Sequence, residues 1–399
     1  MKNTPQNLFE KLVFIDNKYE IINNNIEIFR TNVVKNKLLR TIFYFNQFIN
    51  KKLEIFSDKF MNPEIYTEHL KLVNNQKFKS LIEKQFINQR MFADPNFLKL
   101  YFYLKKLHKR EELNIIHSSP IYISANIYAY KFSIKNDIPF FCTPLYHINP
   151  YSDYIFYPSY QQILKKATAI IACTDLEKSF YKKYSINHEK IHVIPPGIDL
   201  RKYETSNVKQ FKIDYSIPEN SPILLFMGRK TYEKGVFNII YALKYLIQKF
   251  KDIRLIIAGP TKKEYNIFFK RLPKYIKKHI IDLGIIDDKL KSNVLACCDI
   301  FVLPSIDDAF GIVFLEAWAF KKPVIGVFKG NVEGLIDNDL NGCLIHFNNV
   351  KALAVKIEEL LDDEKRRKDL GQNGYNKLLN NYLLELTNKK MLELYRKFI

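Results

Sequence analysis

The stretch Pro222-Ile-Leu-Leu-Phe-Met-Gly-Arg-Lys-Thr-Tyr-Glu-Lys-Gly-Val236 decides the fold of this chain. Its first six residues form a short apolar run, which is typical of a buried β-strand. Residues 236–250 then place apolar side chains at the spacing of a helix. A strand that leads through a glycine-containing turn into a helix is the building unit of parallel sheets. The ligand crevice of such sheets lies at the carboxyl ends of the strands.

The same unit recurs on both sides of this stretch. Apolar runs typical of strands occupy residues 114–117, 138–142, 167–173, 255–258, 280–284, 300–303, 323–327 and 344–347. Helical spacing occupies residues 121–135, 294–298, 313–320 and 350–361. The alternation predicts an α/β protein with doubly wound parallel sheets.

Glycine is unevenly distributed along the 399 residues. All 12 glycines lie from Gly197 onward, and the first 196 residues contain none. Glycine is the residue that most readily adopts positive φ or brings the main chain close to a phosphate. Only the second half can therefore form a glycine-built phosphate cradle. The run Pro195-Pro196-Gly197 marks the predicted boundary between a domain of residues 1–195 and a domain of residues 196–380.

The composition is that of a soluble, core-forming protein, with 47% hydrophobic and 26% charged residues. No window approaches the roughly 18 consecutive apolar residues of a membrane span, and the amino end lacks the apolar stretch of a secretory signal. We therefore expect a cytoplasmic protein. Its five cysteines are odd in number and most lie within apolar runs. This predicts buried, reduced thiols rather than disulfides or a metal site.

Basic residues exceed acidic ones, with 62 Lys and Arg against 42 Asp and Glu, which gives a formal net charge of +20. They are spread over the whole chain without a zinc-finger, RNP or helix-turn-helix signature, so nucleic acid is not an expected partner. In residues 37–52 and 97–110 basic and aromatic residues alternate, which fits an anionic membrane surface. The alternative is a Lys-rich background composition whose helices have basic polar faces.

Basic residues follow the strand of the deciding stretch. Arg229 stands directly after the strand and its glycine, and Lys234 precedes the following helix. A helix amino terminus offers unpaired N–H groups and a partial positive charge, so an anion such as a diphosphate would be held there. The alternative is a pair of solvated cations in a loop.

Two carboxylates flank the start of another helix. Asp308 and Glu316 lie eight positions apart, about two helical turns, after the strand at 300–303. Carboxylates at a crevice accept hydrogen bonds from sugar hydroxyls, which fits a sugar or ribose ligand. The alternative is that Asp308 caps the helix and Glu316 lies on a solvated face.

Together these segments resemble the family 4 (GT4) retaining glycosyltransferases of the GT-B fold. The resemblance rests on eight ordered motifs: Val193-Ile-Pro-Pro-Gly-Ile-Asp199, Gly228-Arg229 with Lys234-Gly235, Leu255-Ile-Ile-Ala-Gly259, Leu283-Gly-Ile-Ile-Asp287, Asp299-Ile-Phe-Val-Leu-Pro-Ser305, Phe310-Gly311 with Leu315-Glu-Ala317, Pro323-Val-Ile325 and Gly330-Asn-Val-Glu333. It implies two Rossmann-like αβα domains that face a central cleft. It also implies a C-terminal helix, residues 381–399, that crosses back to the N-terminal domain.

The resemblance assigns roles to individual residues. Arg229 and Lys234 would hold the diphosphate of a nucleotide-sugar donor. Asp308 would face the transferred sugar, and His147 would lie near the reacting sugar and phosphate, so these two are the candidate catalytic side chains. A lone histidine after a strand, like His117, is otherwise more often structural. The remaining donor-binding residues that the resemblance implies are Glu316 for the ribose, Gly284 and Ile285 at the base, and Phe310, Gly311, Gly330 and Glu333.

Three features depart from the family pattern. Asp308 stands where a longer glutamate is usual, and Lys329 replaces the first of two glycines in the donor loop. The glycine-rich loop that normally follows the first strand of the N-terminal domain is not found, because no glycine precedes Gly197. The N-terminal domain is therefore expected to be atypical.

The implied activity is hexosyl transfer from a nucleotide sugar to a glycan or lipid-linked acceptor, with retention of configuration, as in polysaccharide biosynthesis. The enzyme would be cytoplasmic and peripheral on the inner face of the membrane. No metal or other cofactor is expected, because no Asp-x-Asp motif ends a strand and the adjacent pairs at 287–288 and 307–308 have the wrong spacing. The alternative is a catalytically weak or inactive GT-B protein that binds nucleotide sugar or serves as a partner subunit.

Overall fold

The computed structural model of the chain describes residues 95–121, 124–149, 152, 156, 158–203 and 206–398. The basic and aromatic segment at 37–52 lies outside these residues. The helices, in chain order, are α1 (Pro95–Arg110), α2 (Ser124–Lys135), α3 (Pro158–Lys166), α4 (Asp175–Lys183), α5 (Val208–Asp214), α6 (Val236–Lys249), α7 (Lys263–Arg271), α8 (Lys274–Lys277), α9 (Asp288–Cys297), α10 (Ile312–Ala319), α11 (Val350–Asp362), α12 (Glu364–Asn381) and α13 (Leu384–Tyr395). Short 3₁₀ turns cover His188–Lys190, Leu200–Tyr203 and Asn331–Gly334.

The strands form two sheets. The first has the order β1-β2-β3-β4, with β1 (Ile116–Ser118), β2 (Phe140–Cys142), β3 (Ala169–Ala172) and β4 (Ile191–Val193). The second has the order β10-β9-β8-β5-β6-β7, with β5 (Ile223–Met227), β6 (Arg254–Ala258), β7 (Ile280–Gly284), β8 (Ile300–Val302), β9 (Val324–Val327) and β10 (Cys343–Ile345). Each predicted strand is present within two residues of its predicted ends, whereas β4 was not predicted.

All pairings in the six-stranded sheet are parallel, as predicted. Strand β5 and the strands beside it are buried, which is why their sequences are continuous apolar runs rather than alternating ones. The strand order reverses between β5 and β8. The chain continues from β5 to β6 on one side of this point and from β8 to β9 on the other. Such a reversal opens a crevice at the carboxyl edge of a doubly wound sheet.

Two glycine turns hold the carboxyl edge of this sheet together. Gly235 has φ +76° at the start of α6, and a Cβ there would lie 2.2 Å from the carbonyl oxygen of Pro304. Gly259 has φ +130° after β6, and a Cβ there would lie 2.1 Å from the carbonyl oxygen of Gly228. Only glycine fits either position, so the loops after β5, β6 and β8 pack backbone against backbone.

The described residues group into two compact units. One holds the described residues up to Ile116 together with residues 124–140, and within it the rings of Tyr101 and Phe132 pack edge to face at 5.5 Å. The other holds His117–Ile121 and Phe141–Phe398. The predicted domain boundary near residue 195 stays a prediction. No helix in the described part of the chain is both long and apolar enough to cross a bilayer.

The last helix packs within the second unit. The amide of Leu384 donates to the carbonyl of Ile198 at 2.9 Å, at the start of α13. The Tyr395 hydroxyl is hydrogen-bonded to His117 Nδ1, and the Tyr395 ring packs edge to face against Phe141 at 5.3 Å. The other ring nitrogen of His117 is 2.7 Å from a threonine hydroxyl. His117 is therefore a structural anchor for α13, as the sequence predicted.

All five cysteines are buried and unpaired. Burial raises the pKa of the Cys298 thiol to about 12 and that of Cys297 to about 11. These thiols stay protonated at neutral pH and fill the core, as predicted from the apolar runs around them.

Candidate active site at the carboxyl edge of the six-stranded sheet

The loops after β5 and β8 bring four charged side chains together where the strand order reverses. Arg229 follows β5 after one glycine, and Lys234 precedes α6. Asp307 and Asp308 lie in the loop between β8 and α10. The amide of Ile306 donates to the carbonyl of Glu233 at 2.9 Å and ties the two loops to each other.

Lys234 and Asp308 form a largely buried ion pair. The ammonium Nζ lies 2.9 Å from Asp308 Oδ2, and the two side chains are 10% and 18% exposed. The same ammonium donates to the carbonyl oxygen of Asp307. Although Oδ2 of Asp308 is close to the ammonium, it accepts no hydrogen bond of good direction from the described residues. The contact is therefore an ion pair, and Oδ2 is buried beneath the surface of the site.

The start of α10 contradicts the alternative in which Asp308 caps the helix. Helix α10 begins at Ile312 with Gly311 as its N-cap, at φ +90° and without a side-chain cap. Asp308 therefore does not cap the helix. Lys234 is also not a solvated loop cation, whereas Arg229 is half-exposed, with its guanidinium 4.0 Å from Asp307 Oδ2 and 4.0 Å from Glu233 Oε1.

His147 joins the same cluster from the loop after β2. Its Nδ1 is 2.7 Å from Asp307 Oδ1. Burial acts to raise the pKa of Asp307, but the hydrogen bond with His147 and the charges of Lys234 and Arg229 outweigh it and hold this pKa below its usual value. Asp307 is thus an ionised carboxylate that orients the imidazole. In the sequence Asp307 is one half of an aspartate pair with the wrong spacing for metal, and nothing in its local pattern distinguishes it from its neighbour.

Glu316 lies inside α10 with its side chain 9% exposed. Its Oε1 accepts hydrogen bonds from the Tyr203 hydroxyl and from Lys291 Nζ, each at 3.0 Å. Burial lowers the pKa of Lys291, but its contacts with Glu316 and Asp288 outweigh this and raise it, so the ammonium stays charged. The carboxylate is therefore paired rather than solvated, which rules out the solvated-face alternative. Tyr203 and Lys291 were missed because they lie 113 and 25 positions from Glu316.

Gly284 and Ile285, which the resemblance places at the base, lie at the end of β7. Gly284 ends the strand at φ +66°, and a Cβ there would meet no atom within 4 Å. Ile285 is 79% exposed. The turn is held by Asp282, whose Oδ1 accepts the Gly284 amide at 3.1 Å. Asp282 also forms an ion pair with Lys230, a buried lysine that was not predicted as a site residue from the sequence.

The donor-loop residues follow β9. The backbone of Gly330 lies near the carbonyl oxygens of Ser305 and Ile306, since a Cβ there would be 3.9 and 3.6 Å from them. Glu333 is exposed, and its Oε2 accepts the amide of Lys329 at 2.7 Å. Lys329 adopts φ +63°, so it takes the left-handed conformation that a glycine would adopt at less cost.

Phe310 and Gly311 connect this loop to the core. Phe310 is 3% exposed, and its ring packs edge to face against Tyr382 at 5.7 Å. A Cβ on Gly311 would lie 2.7 Å from Phe314 and 3.0 Å from Val332. These two residues shape the loop rather than present polar groups. The structure thus brings His147, Arg229, Lys234 and Asp308 together, and places Gly284 and Ile285 at the end of β7 and Glu316 inside α10.

Two family models match the chain. Residues 207–377 match the model described as "Glycosyl transferases group 1", and residues 79–202 match "Glycosyltransferase Family 4".

Curated relatives match about half of the chain. The capsular polysaccharide biosynthesis glycosyltransferase CapM of Staphylococcus aureus is 27% identical over 248 residues, which is 58% of this chain and 62% of CapM. The uncharacterized glycosyltransferase MJ1178 of Methanocaldococcus jannaschii is 32% identical over 225 residues, 53% of this chain and 61% of that protein. The chain therefore spans about three fifths of the length of these two relatives.

Solved structures share the fold. A glycosyltransferase from Rickettsia africae superposes with a TM-score of 0.66 at 24% identity, over 77% of this chain and 83% of that one. Anabaena Alr3699/HepE in complex with UDP superposes with a TM-score of 0.65 at 19% identity, over 80% of this chain and 89% of that one. At these identities the likeness concerns the fold.

Proposed function

Because this chain belongs with the family 4-like glycosyltransferases of the GT-B fold, we propose that it transfers a hexosyl group from a nucleotide sugar to a glycan or lipid-linked acceptor. The observation that carries the proposal is the cluster of His147, Arg229, Lys234 and Asp308 at the strand-order reversal. Family membership alone would not assign chemistry to this chain, since one fold serves many functions.

The charges of the cluster fit a departing nucleoside diphosphate. Arg229 is half-exposed and only loosely paired, so its guanidinium is available to a phosphate. An ammonium has three N–H donors, and Lys234 donates one of them to the carbonyl oxygen of Asp307 while it pairs by charge with Asp308. Preorganised cations of this kind stabilise the charge that develops on a leaving phosphate.

The sugar would meet the opposite charge. The Asp308 side chain is 18% exposed and its Oδ2 is buried against the Lys234 ammonium, so we propose that the other oxygen, Oδ1, accepts a hydroxyl of the transferred sugar. We propose that the paired Glu316 binds the ribose through its second oxygen and that Gly284 and Ile285 border the base. The open space beside Gly284 is compatible with an aromatic ring. Alr3699/HepE is solved with UDP-glucose, so a uridine nucleotide is the first donor to test.

The deciding experiment measures nucleoside diphosphate release by the full chain from UDP-glucose, UDP-N-acetylglucosamine and GDP-mannose, with and without glycan acceptors. We expect release that survives a metal chelator and a product with the anomeric configuration of the donor, which NMR can assign. Asp308→Asn should abolish release while calorimetry still detects nucleotide binding. Tight nucleotide binding without release from any donor would instead favour the alternative, a weak or inactive donor-binding subunit.

A basic surface on the second unit supports a membrane-bound acceptor. Residues 262–278 contain seven Lys or Arg and one acidic residue, Glu264. Six of these cations are exposed and form no ion pair within the described residues: Lys262, Lys263, Lys270, Arg271, Lys274 and Lys278. Ile267 and Tyr275 are exposed between them, at 45% and 49%. Basic and aromatic side chains on short helices fit an anionic bilayer surface, where each cation contributes about 1 kcal/mol.

Vesicle sedimentation tests this contact. The wild-type protein should bind vesicles of phosphatidylglycerol and phosphatidylcholine but not vesicles of phosphatidylcholine alone. The double variant Lys274→Glu/Lys278→Glu should bind at least about ten times more weakly, since four units of charge change. Lys351→Glu/Lys365→Glu on α11 and α12 changes the net charge equally and is the matched control. Equal loss in both double variants would show that only overall charge matters and would remove this surface from the proposal.

A further inference from the structure

We propose that Glu177 and Asn331 are positioning residues for His147, because they hold the preceding residue, Tyr146, by its two backbone groups. This inference rests on the proposed function, in which His147 acts at the reacting centre. Glu177 accepts the amide of Tyr146 at 3.3 Å, and Asn331 Nδ2 donates to the carbonyl of Tyr146 at 2.7 Å. The backbone that carries His147 is thus fixed by two side chains from distant parts of the chain.

Glu177 is a buried carboxylate without an ion-pair partner among the described residues. It lies in the first turn of α4, where Thr174 caps the helix by accepting the Glu177 amide at 3.1 Å. Its oxygens accept the amide of Cys173 at 2.6 Å and the Tyr181 hydroxyl. Burial raises the pKa of Glu177 to about 7, against the hydrogen bonds from Tyr181, Cys173 and Tyr146. Among the described residues, its hydrogen-bond donors lie next to His147, at the end of β3 and on α4.

Asn331 joins that loop to the sugar-side loop. Its side chain is completely buried, and Nδ2 donates to the carbonyls of Tyr146 and Ala309, each at 2.7 Å. Ala309 directly follows Asp308. Both neighbours are acceptors, which fixes the amide with nitrogen toward them. Its Oδ1 has no hydrogen-bond partner within the described structure. The arrangement thus leaves one buried acceptor unsatisfied while Nδ2 holds the two carbonyls.

Glu177 and Asn331 together form a clamp on the backbone of Tyr146, and this clamp acts on the orientation of the His147 imidazole. The Ser152 hydroxyl donates to the carbonyl of His147 at 3.0 Å, and the Tyr146 hydroxyl donates to the carbonyl of Ser152 at 3.0 Å. With its backbone held on both sides, His147 keeps its ring against Asp307. A displacement of about 1 Å at a reacting group can cost about 100-fold in rate. Loosening Tyr146 should therefore lower turnover more than donor binding.

A double-mutant cycle with His147 separates positioning from general support of the fold. We expect Asn331→Ala and Glu177→Gln to lower kcat at least about tenfold while KM for the donor changes less than about twofold. In the His147→Ala background the same substitutions should change kcat less than about twofold. Asn341→Ala is the matched control, because Asn341 is a buried asparagine that pairs with Asp337. It should lower the melting temperature without coupling to His147.

Equal losses in the wild-type and His147→Ala backgrounds would overturn the proposal, and so would losses confined to KM. If Asn331→Ala does not fold, Asn331→Ser replaces it, and Glu177→Gln tests the other half of the clamp. NMR of ¹⁵N-histidine-labelled protein needs no turnover: the His147 ring signals should shift in both clamp variants and stay in place in Asn341→Ala. Absence of release by the wild-type protein would therefore refute the proposed function alone, while unmoved His147 signals would refute the clamp.

Discussion

Lys234→Ala is expected to lower kcat/KM for the nucleotide-sugar donor by about 100-fold or more. A hydrogen bond from a charged donor is worth about 1.5–3 kcal/mol, and removal of one partner of a buried ion pair also leaves the other charge buried without compensation. Here that charge is Asp308, whose Oδ2 lies 2.9 Å from the lost ammonium. The variant would both lose a phosphate ligand and place a bare carboxylate beside the departing diphosphate.

Steady-state kinetics and nucleotide calorimetry measure this effect. Lys249→Ala is the matched control, since Lys249 pairs with Glu358 at 3.0 Å on the surface, where solvent screens the interaction. We expect its kcat/KM to stay within about twofold of the wild type. If Lys234→Ala and Lys249→Ala behave alike, the phosphate is bound elsewhere on the protein.

Gly259→Ala is expected to lower the free energy of unfolding by more than about 4 kcal/mol, or to prevent folding. A Cβ at this position would lie 2.1 Å from the carbonyl oxygen and 2.7 Å from the carbonyl carbon of Gly228, and φ is +130°. The obstacle is backbone directly after strand β5, which cannot move aside as a side chain can. Losses of this size come only from severe strain or buried defects.

Gly284→Ala provides the comparison that isolates the clash. Gly284 also has positive φ, at +66°, but a Cβ there meets nothing within 4 Å. It should cost only about 1 kcal/mol, the ordinary cost of a left-handed alanine. Urea denaturation of both variants measures the difference. A Gly259→Ala protein as stable as Gly284→Ala would mean that the loops after β5 and β6 do not approach as closely as described.

The strands of the six-stranded sheet could be predicted because each is buried on both faces. A run such as Ile223–Met227 is apolar throughout and ends at a glycine, so burial is recorded in the local sequence. Strand β4, Ile191–Val193, was missed because a histidine interrupts its apolar run and two prolines follow closely at 195–196, a pattern typical of a linker. It becomes a strand only by pairing with β3, through contacts such as Ile170 with Ile191. Short strands of this kind depend on a neighbour that the local sequence does not specify.

The site residues could likewise be predicted where the local sequence marks them, but their contacts could not. Arg229, Lys234 and Asp308 could be named from the sequence because each follows a strand end at a position that the family motifs mark. Their pairing could not be named. Nothing in the local sequence indicates that Lys234 forms an ion pair with Asp308, 74 positions away.

The sequence by itself determined most of the succession of strands and helices along the chain, the glycine positions of the turns after β5 and β6, and the residue types at the strand ends. These depend on local periodicity and on backbone conformations that only certain residues adopt. The tertiary structure alone decided that Asp307 orients His147 and that Glu177 and Asn331 hold the backbone of Tyr146. The physical reason is that hydrogen bonds and ion pairs form between groups brought together by burial of apolar surface. That burial depends on the packing of whole elements, so the partners can lie 31 to 185 positions apart.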